Sequence, residues 1–284
     1  MLQLALLLAS AQASWPDDVD LAGMVDQGGV AVVDETALGA AYQTVIRQLG
    51  AAVGTRVTLP AATLGATGFE LSLDTTASFL DARVDEDDPS PWQRAHVTET
   101  PSAQSIQPGI MIRKGLPMSL EVGFGGRWIG QSRQGVLTGF VRAALVEGYK
   151  PWPDINLHMG GSGYIGNDQL ELGVFDVGVT IGTTAPLGPP KSVRIARLSP
   201  FVDATLMVVT ASPRLDLATR DTIGAVAYGR RDTDQDPTNN SKALSIPNFS
   251  GGLQLEAGTF MFRVSGGYSL KAVPWVGGSV GFRY

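Results

Sequence analysis

The sequence predicts an all-β chain: an antiparallel transmembrane β-barrel of about ten strands, with eight or twelve as alternatives, and a short N-terminal helical segment. Three observations lead there. From Gly68 onward apolar and polar residues alternate with period two, in segments mostly longer than the five or six residues usual in globular strands. They match the roughly 9–11 residues needed to cross a bilayer at a tilt. The charged residues of these segments fall on one phase of the alternation, and the connections divide into short turns and long polar loops.

The composition agrees. The 284 residues include 35 glycines and 17 prolines, only 17% are charged, and no run is long enough for a transmembrane helix. Without cysteine there is no disulfide, thiolate metal site or cysteine nucleophile. A formal charge of −6 argues against nucleic acid as a partner, since phosphate binding needs a basic surface. His96 and His158 are the two histidines, too few for a multi-histidine metal site.

Residues 1–13 are apolar and end in Ala11-Gln12-Ala13, a small-x-small pattern expected for a cleaved signal peptide, although no Lys or Arg precedes it. Residues 14–60 are expected to form a periplasmic, partly helical segment. Asp34 or Thr36 is placed to cap a helix whose apolar stripe is Leu38, Tyr42, Val45, Leu49 and Ala52, ended by Gly54. Whether this helix lies beneath the barrel, rests on the membrane or plugs the lumen is left open by the stripe alone.

The barrel is expected over 61–284, with strands at 69–79, 105–114, 118–129, 135–147, 154–164, 169–182, 193–209, 247–257, 259–269 and 273–284. The long loops are 81–103 and 210–243, and they belong outside the cell if short turns face the periplasm. Ten strands then place both chain ends on the periplasmic side. Glu171 and Asp176 sit on opposite phases, which calls for a bulge between Leu172 and Phe175. Pro200 calls for a second bulge or break. Phe69, Phe79, Trp128, Tyr149, Trp152, Tyr164, Phe249, Phe260, Tyr268, Phe282 and Tyr284 gather near strand ends, as interfacial girdles require.

One phase carries Leu73, Val122, Val141, Leu157, Val179, Leu253 and Val264, expected to face lipid near the midplane. The other carries Glu70, Asp74, Glu121, Asp176, Asp203 and Glu256 with Arg113, Arg127, Arg142, Arg197, Arg263 and Arg283. An arginine turned into lipid at the midplane costs about 2–4 kcal/mol, so this phase must line the lumen. Six acids against six bases in a narrow lumen are expected to pair. A change such as Glu121→Gln is expected to leave insertion almost untouched.

The runs Gly115-Leu116-Pro117-Met118-Ser119-Leu120-Glu121-Val122-Gly123, Ala144-Leu145-Val146-Glu147-Gly148-Tyr149 and Trp152-Pro153-Asp154 carry a resemblance. So do Thr63-Leu64-Gly65, Gly68-Phe69-Glu70, Leu198-Ser199-Pro200-Phe201-Val202 and the closing strand. Over roughly residues 60–210 and that strand the chain resembles a family of Gram-negative outer-membrane β-barrels of the porin-like, OmpA-like superfamily. The resemblance implies a bacterial outer-membrane location, contact with outer-membrane lipid, and Phe282 and Tyr284 as a terminal signal read by the outer-membrane assembly machinery. It implies no catalytic residue and no cofactor.

Barrel enzymes of this membrane set the remaining alternatives. His96 lies beside Asp85, Glu86, Asp87 and Asp88, and Asp232, Asp234 and Asp236 lie in the other long loop, where hard-oxygen cation binding competes with plain solvation. Ser162 near His158 is the serine-hydrolase pattern, but both occupy the lumen phase, and a satisfied interior histidine is the expected role. The glycine pairs are strand and turn glycines without a following helix, so they form no phosphate loop. The reading is a narrow closed barrel with a structural or surface-interaction role, no enzymatic activity, no metal and no cofactor. The alternatives are a small-solute pore or transporter, or an enzyme acting at the outer rim. The sequence names no surface ligand.

Overall fold

In the computed structural model, residues 18–26, 35–82, 90–96, 102–148, 152–187, 196–229 and 243–284 are described. The signal-peptide segment, Asp34, Asp85 to Asp88, Tyr149 and the aspartates at 232, 234 and 236 lie outside them. The strands are β1 (Phe69–Phe79), β2 (Gln104–Leu116), β3 (Leu120–Trp128), β4 (Gly135–Val146), β5 (Asp154–Ile165), β6 (Leu170–Gly182), β7 (Ala185–Leu187), β8 (Ala196–Pro213), β9 (Leu244–Ala257), β10 (Phe260–Ser269) and β11 (Pro274–Arg283). All pair antiparallel with sequence neighbours. β1 pairs β11, and β6 pairs β8 past the three-residue stub β7, so ten strands close the wall. At the seam, the Phe69 and Tyr284 amides each donate to the other's carbonyl at 2.8 Å.

The wall is apolar outside and polar within. Leu73, Phe124, Val264, Val276 and Phe282 are exposed, while their strand neighbours Ser72, Glu70, Arg113 and Glu121 are buried. A bilayer removes the outer residues from water, and closure leaves no sheet edge in lipid. Among the described residues no helix is long and apolar enough to cross a membrane; this chain crosses with strands.

Of the two irregularities expected from sequence, the bulge in β6 is absent, and the break at Pro200 falls in the strand facing it, between β6 and β7. β6 keeps unbroken register with β8 through residues 170–182 and with β5 through residues 173–182. Glu171 stays on the outward phase at the rim, where Arg214 Nη2 reaches it at 3.0 Å in an exposed pair, so no bulge is needed to hide it. β8 passes Pro200 in register with Leu253 of β9. Its other flank is where β6 ends at Gly182 and β7 begins at Ala185, so no regular ladder bond is demanded of the missing N–H. The register shift that does occur lies between Ala144 and Val146 on β4.

The part of the N-terminal segment from α2 onward is inside the barrel, not beneath it. Helices α1 (Gly23–Asp26), α2 (Glu35–Val53), α3 (Pro91–Arg94) and α4 (Leu217–Ile223) cluster at the long-loop end. Tyr42, Val45, Ile46, Leu49 and Val53 of α2 pack against Leu170, Leu172, Val174, Met207, Val209, Leu244 and Ile246 from the inner wall. Full burial of each such side chain is worth roughly 1.5–3 kcal/mol. Gly50 permits this approach: a Cβ there would come within 2.6 Å of Val209 Cγ2.

Residues 18–22 sit on the loops at the same end. The Asp20 amide donates to Ala95 O at 2.8 Å, Asn167 Nδ2 to Val19 O at 2.8 Å, and the Arg133 amide to Asp18 Oδ1 at 3.0 Å. Phe69 and Tyr284 lie together at the short-turn end, but the chain before Phe69 leads to the other end. From α2 the chain runs down the lumen to β1, so Asp18 and Tyr284 lie at opposite ends of the barrel.

Candidate functional site: the threaded lumen

Helix α2 ends pointing into the lumen, and a helix C-terminus leaves carbonyls without intrahelical partners. Two arginines take them. Arg56 Nη2 donates to Ala51 O and its Nη1 to Ser78 Oγ at 3.0 Å, with the guanidinium 4.9 Å from the Trp275 ring centre. Arg127 Nη2 donates to Val53 O at 2.9 Å and to Gly54 O at 2.7 Å. Cationic groups also suit the negative end of the helix dipole. Residues 55–64 then descend through the barrel. Arg142 Nη2 holds Pro60 O, Asn156 Nδ2 holds Ala61 O at 3.2 Å, and Arg283 Nη2 holds Thr63 O at 3.1 Å. Carboxylates hold the amides: Thr63 N donates to Glu147 Oε1 at 2.8 Å and Leu64 N to Glu121 Oε2 at 3.1 Å. An extended chain in a barrel has no sheet partner, so the wall's side chains serve as its ladder.

Of the twelve charges expected to line the lumen, six form one connected network. Arg113 binds Glu70 through Nε at 2.9 Å and Nη2, and Glu121 through Nη1 at 2.8 Å. Arg142 Nη1 reaches Glu121 at 3.3 Å; Arg263 reaches Glu70 at 3.8 Å and Asp74 at 3.4 Å. Glu256 and Arg283 pair separately near the short-turn end. Asp203 accepts from Thr180 Oγ1 at 2.9 Å and from Thr205 Oγ1, with His158 Nδ1 3.6 Å away. The remaining three are not paired with opposite charges. Among the described residues, Arg127 serves the helix carbonyls, Arg197 stands exposed, and Asp176 is buried without an ion pair. Thr55 and Arg127 are the groups nearest that carboxylate.

His158 is held by Thr205 Oγ1 at 3.2 Å and lies beside Thr180 and Asp203; among the described residues the Ser162 hydroxyl makes no hydrogen bond. The serine–histidine pair is therefore not formed. His96 is buried in the first long loop, its Nδ1 2.7 Å from Trp92 O and its ring 4.6 Å from that indole. Burial holds its pKa below the ordinary value, against the opposing pull of the Trp92 hydrogen bond, Asp18 and Asp20. Among the described residues no group of three or more His, Asp or Glu is placed to hold a metal. A cavity of about 60 Å³ remains between residues 55–59 and the wall, with Asp74, Arg127 and Arg263 on its lining, room for a few ordered waters.

Several functional residues escaped the sequence reading. Arg56, Glu147 and Asn156 hold the thread or its helix, and Tyr164, expected in the girdle, points inward and donates to Gln134. A usable signal existed: at the long-loop ends of β6, β8 and β9 the inward phase turns apolar, with Leu170, Leu172, Val174, Met207, Val209, Leu244 and Ile246, which requires a hydrophobic occupant within.

No protein family matches the sequence, and no curated protein matches it. Among solved structures it is similar to Ail, the attachment invasion locus protein of Yersinia pestis, at 11% identity over 77% of this chain and 99% of that chain, TM-score 0.26. It is similar to the N-terminal β-barrel domain of Pseudomonas aeruginosa OprF at 11% identity over 78% and 99%, TM-score 0.27. A third is the Acinetobacter baumannii outer membrane protein Omp33, at 7% identity over 77% and 100%, TM-score 0.26. The fold itself is read from the wall: closed, antiparallel, apolar outside and charged within, it is a β-barrel of the outer-membrane type.

Proposed function

We propose that the protein is an integral component of the bacterial outer membrane, sealed by its own N-terminal segment, with a structural or surface-interaction role and no general pore or enzymatic activity. The observation that carries this reading is the thread. Residues 35–64 occupy the lumen from the long-loop mouth to the short-turn end, packed by an apolar core above and held by wall arginines and carboxylates below. In the orientation with long loops outside and short turns within, which this reading adopts, residues 18–26 lie at the cell surface. Single-channel recording of the full chain in planar bilayers tests the seal. Silence is expected, and stable ohmic openings overturn the proposal. In the Arg127→Gln, Arg142→Gln double variant, which frees three carbonyls of the thread, brief openings are expected.

A further inference from the structure

The outer wall carries a depression that the seal does not explain. On the outward phase, Ile110, Gly126 and Leu137 lie in one cross-strand row, and Trp128 faces Gly135 in the next. Gly126 and Gly135 contribute no side chain, and a groove of about 660 Å³ opens between Leu73, Ile110, Trp128, Leu137 and Ile165. That lies within the roughly 300–1,000 Å³ of small-molecule sites. Its floor is open: a Cβ on Gly126 would meet Leu137 Cδ2 at 3.6 Å and Val136 O at 3.8 Å, both ordinary contacts. The groove ends toward the long loops at Arg133. The guanidinium of this exposed residue makes no ion pair among the described residues, while the Asp18 carboxylate beside it bonds the Arg133 amide instead.

We propose that this groove binds one lipid of the outer leaflet, an acyl chain lying over Gly126 and Gly135 and its phosphate resting on Arg133. The occupant follows from position and charge. The groove faces the bilayer, where acyl chains are the surrounding medium. Trp128 near the strand end marks the headgroup depth that indoles favour. An arginine fork binds phosphate oxygens in a bidentate manner that a lysine cannot reproduce. An apolar trough closed at one end by an exposed cation is complementary to an anionic amphiphile.

The outer-leaflet source rests on the orientation proposed above; the test does not. Native mass spectrometry of the full chain in mild detergent is titrated with diphosphorylated lipid A and with the same lipid stripped of its phosphates. A saturable one-to-one adduct is expected with the phosphorylated form. About tenfold weaker binding is expected for the dephosphorylated form and for Arg133→Gln, an exposed loop change that does not threaten folding. Gly126→Leu fills the floor and is expected to abolish the adduct, with heat-modifiable gel migration showing that the barrel still forms. Equal binding of both lipids, undiminished binding by either variant, or unsaturable adducts overturns the site. Binding is read without current, so a conducting barrel leaves this site standing and a failed site leaves the seal standing.

Discussion

Glu121→Gln tests whether the lumen is an ion-paired core or a tolerant polar surface. Glu121 is 0% exposed and accepts from Arg113, Arg142 and the Leu64 amide at 2.8, 3.3 and 3.1 Å. Glutamine keeps one acceptor but turns an NH₂ toward a donor. Arg113 retains Glu70, whereas Arg142 is left with the Pro60 carbonyl and no carboxylate within ion-pair distance. Removing one partner of a buried pair costs about 3–5 kcal/mol, because the remaining charge stays desolvated. The sequence analysis expects little effect of this change on insertion; the buried contacts add a cost in stability. Urea unfolding in lipid vesicles, followed by tryptophan emission and gel mobility, measures the cost. Glu256→Gln is the control: its pair with Arg283 is partly open to solvent, and a loss of about 1 kcal/mol or less is expected. Arg142→Met added to Glu121→Gln should recover part of the loss by removing the orphaned charge. The reasoning is refuted if Glu121→Gln and Glu256→Gln differ by less than about 1 kcal/mol.

On the lipid face, Leu73→Arg should cost about 2–4 kcal/mol. Val122→Arg should cost less, because Val122 pairs with the outward-facing Lys114, whose ammonium already reaches Thr67 O at 2.8 Å near the short-turn end; equal losses in unfolding assays would contradict that depth order. Deleting Tyr284 removes the two seam bonds with Phe69 and the aromatic end, whereas Tyr284→Ala removes the aromatic end alone. If the ring is an assembly signal, both variants accumulate as protease-sensitive periplasmic chain; normal insertion of Tyr284→Ala assigns any effect of the deletion to the seam. His96 has a folded pKa below its unfolded one, so its contribution is intact above about pH 6.5 and is lost as pH falls through the lowered value. Hydrogen exchange corrected for intrinsic rates should therefore show residues 18–24 and 90–96 less protected at pH 5 than at pH 7.5. Unchanged or greater protection at pH 5 would contradict the burial of a neutral imidazole.

The wall was legible because alternation is local: β1 runs from 69 to 79 as its own residues dictate, and the inner phase follows from the cost of charge in lipid. What failed in the wall has one cause. Leu170, Leu172 and Val174 look like lipid-facing residues, and only the arrival of α2 makes them inward, so the phase of Glu171 was mistaken for a fault requiring a bulge. The clamps on Ala51, Val53, Pro60 and Thr63 were illegible for a different reason. Every residue offers a carbonyl, and nothing in a sequence says which one an arginine a long way along the chain will choose. The helix itself was visible in its stripe, but a stripe states that a face is covered and not by what.

The short link between thread and wall has a mechanical consequence. Leu64 is fastened to Glu121, Phe69 to Tyr284, and Gly65 to Gly68 alone connect them. Four residues reach at most about 14 Å when fully extended. Helix α2, with 19 residues, is roughly 28 Å long. Its own tether to the wall is residues 54–68, about 50 Å if fully extended, so the stopper can leave the mouth only after the clamps on Pro60, Ala61, Thr63 and Leu64 have been stripped. Any opening of this barrel has to begin as a local unravelling of the thread, and a steady pull applied at the surface would be transmitted to the seam.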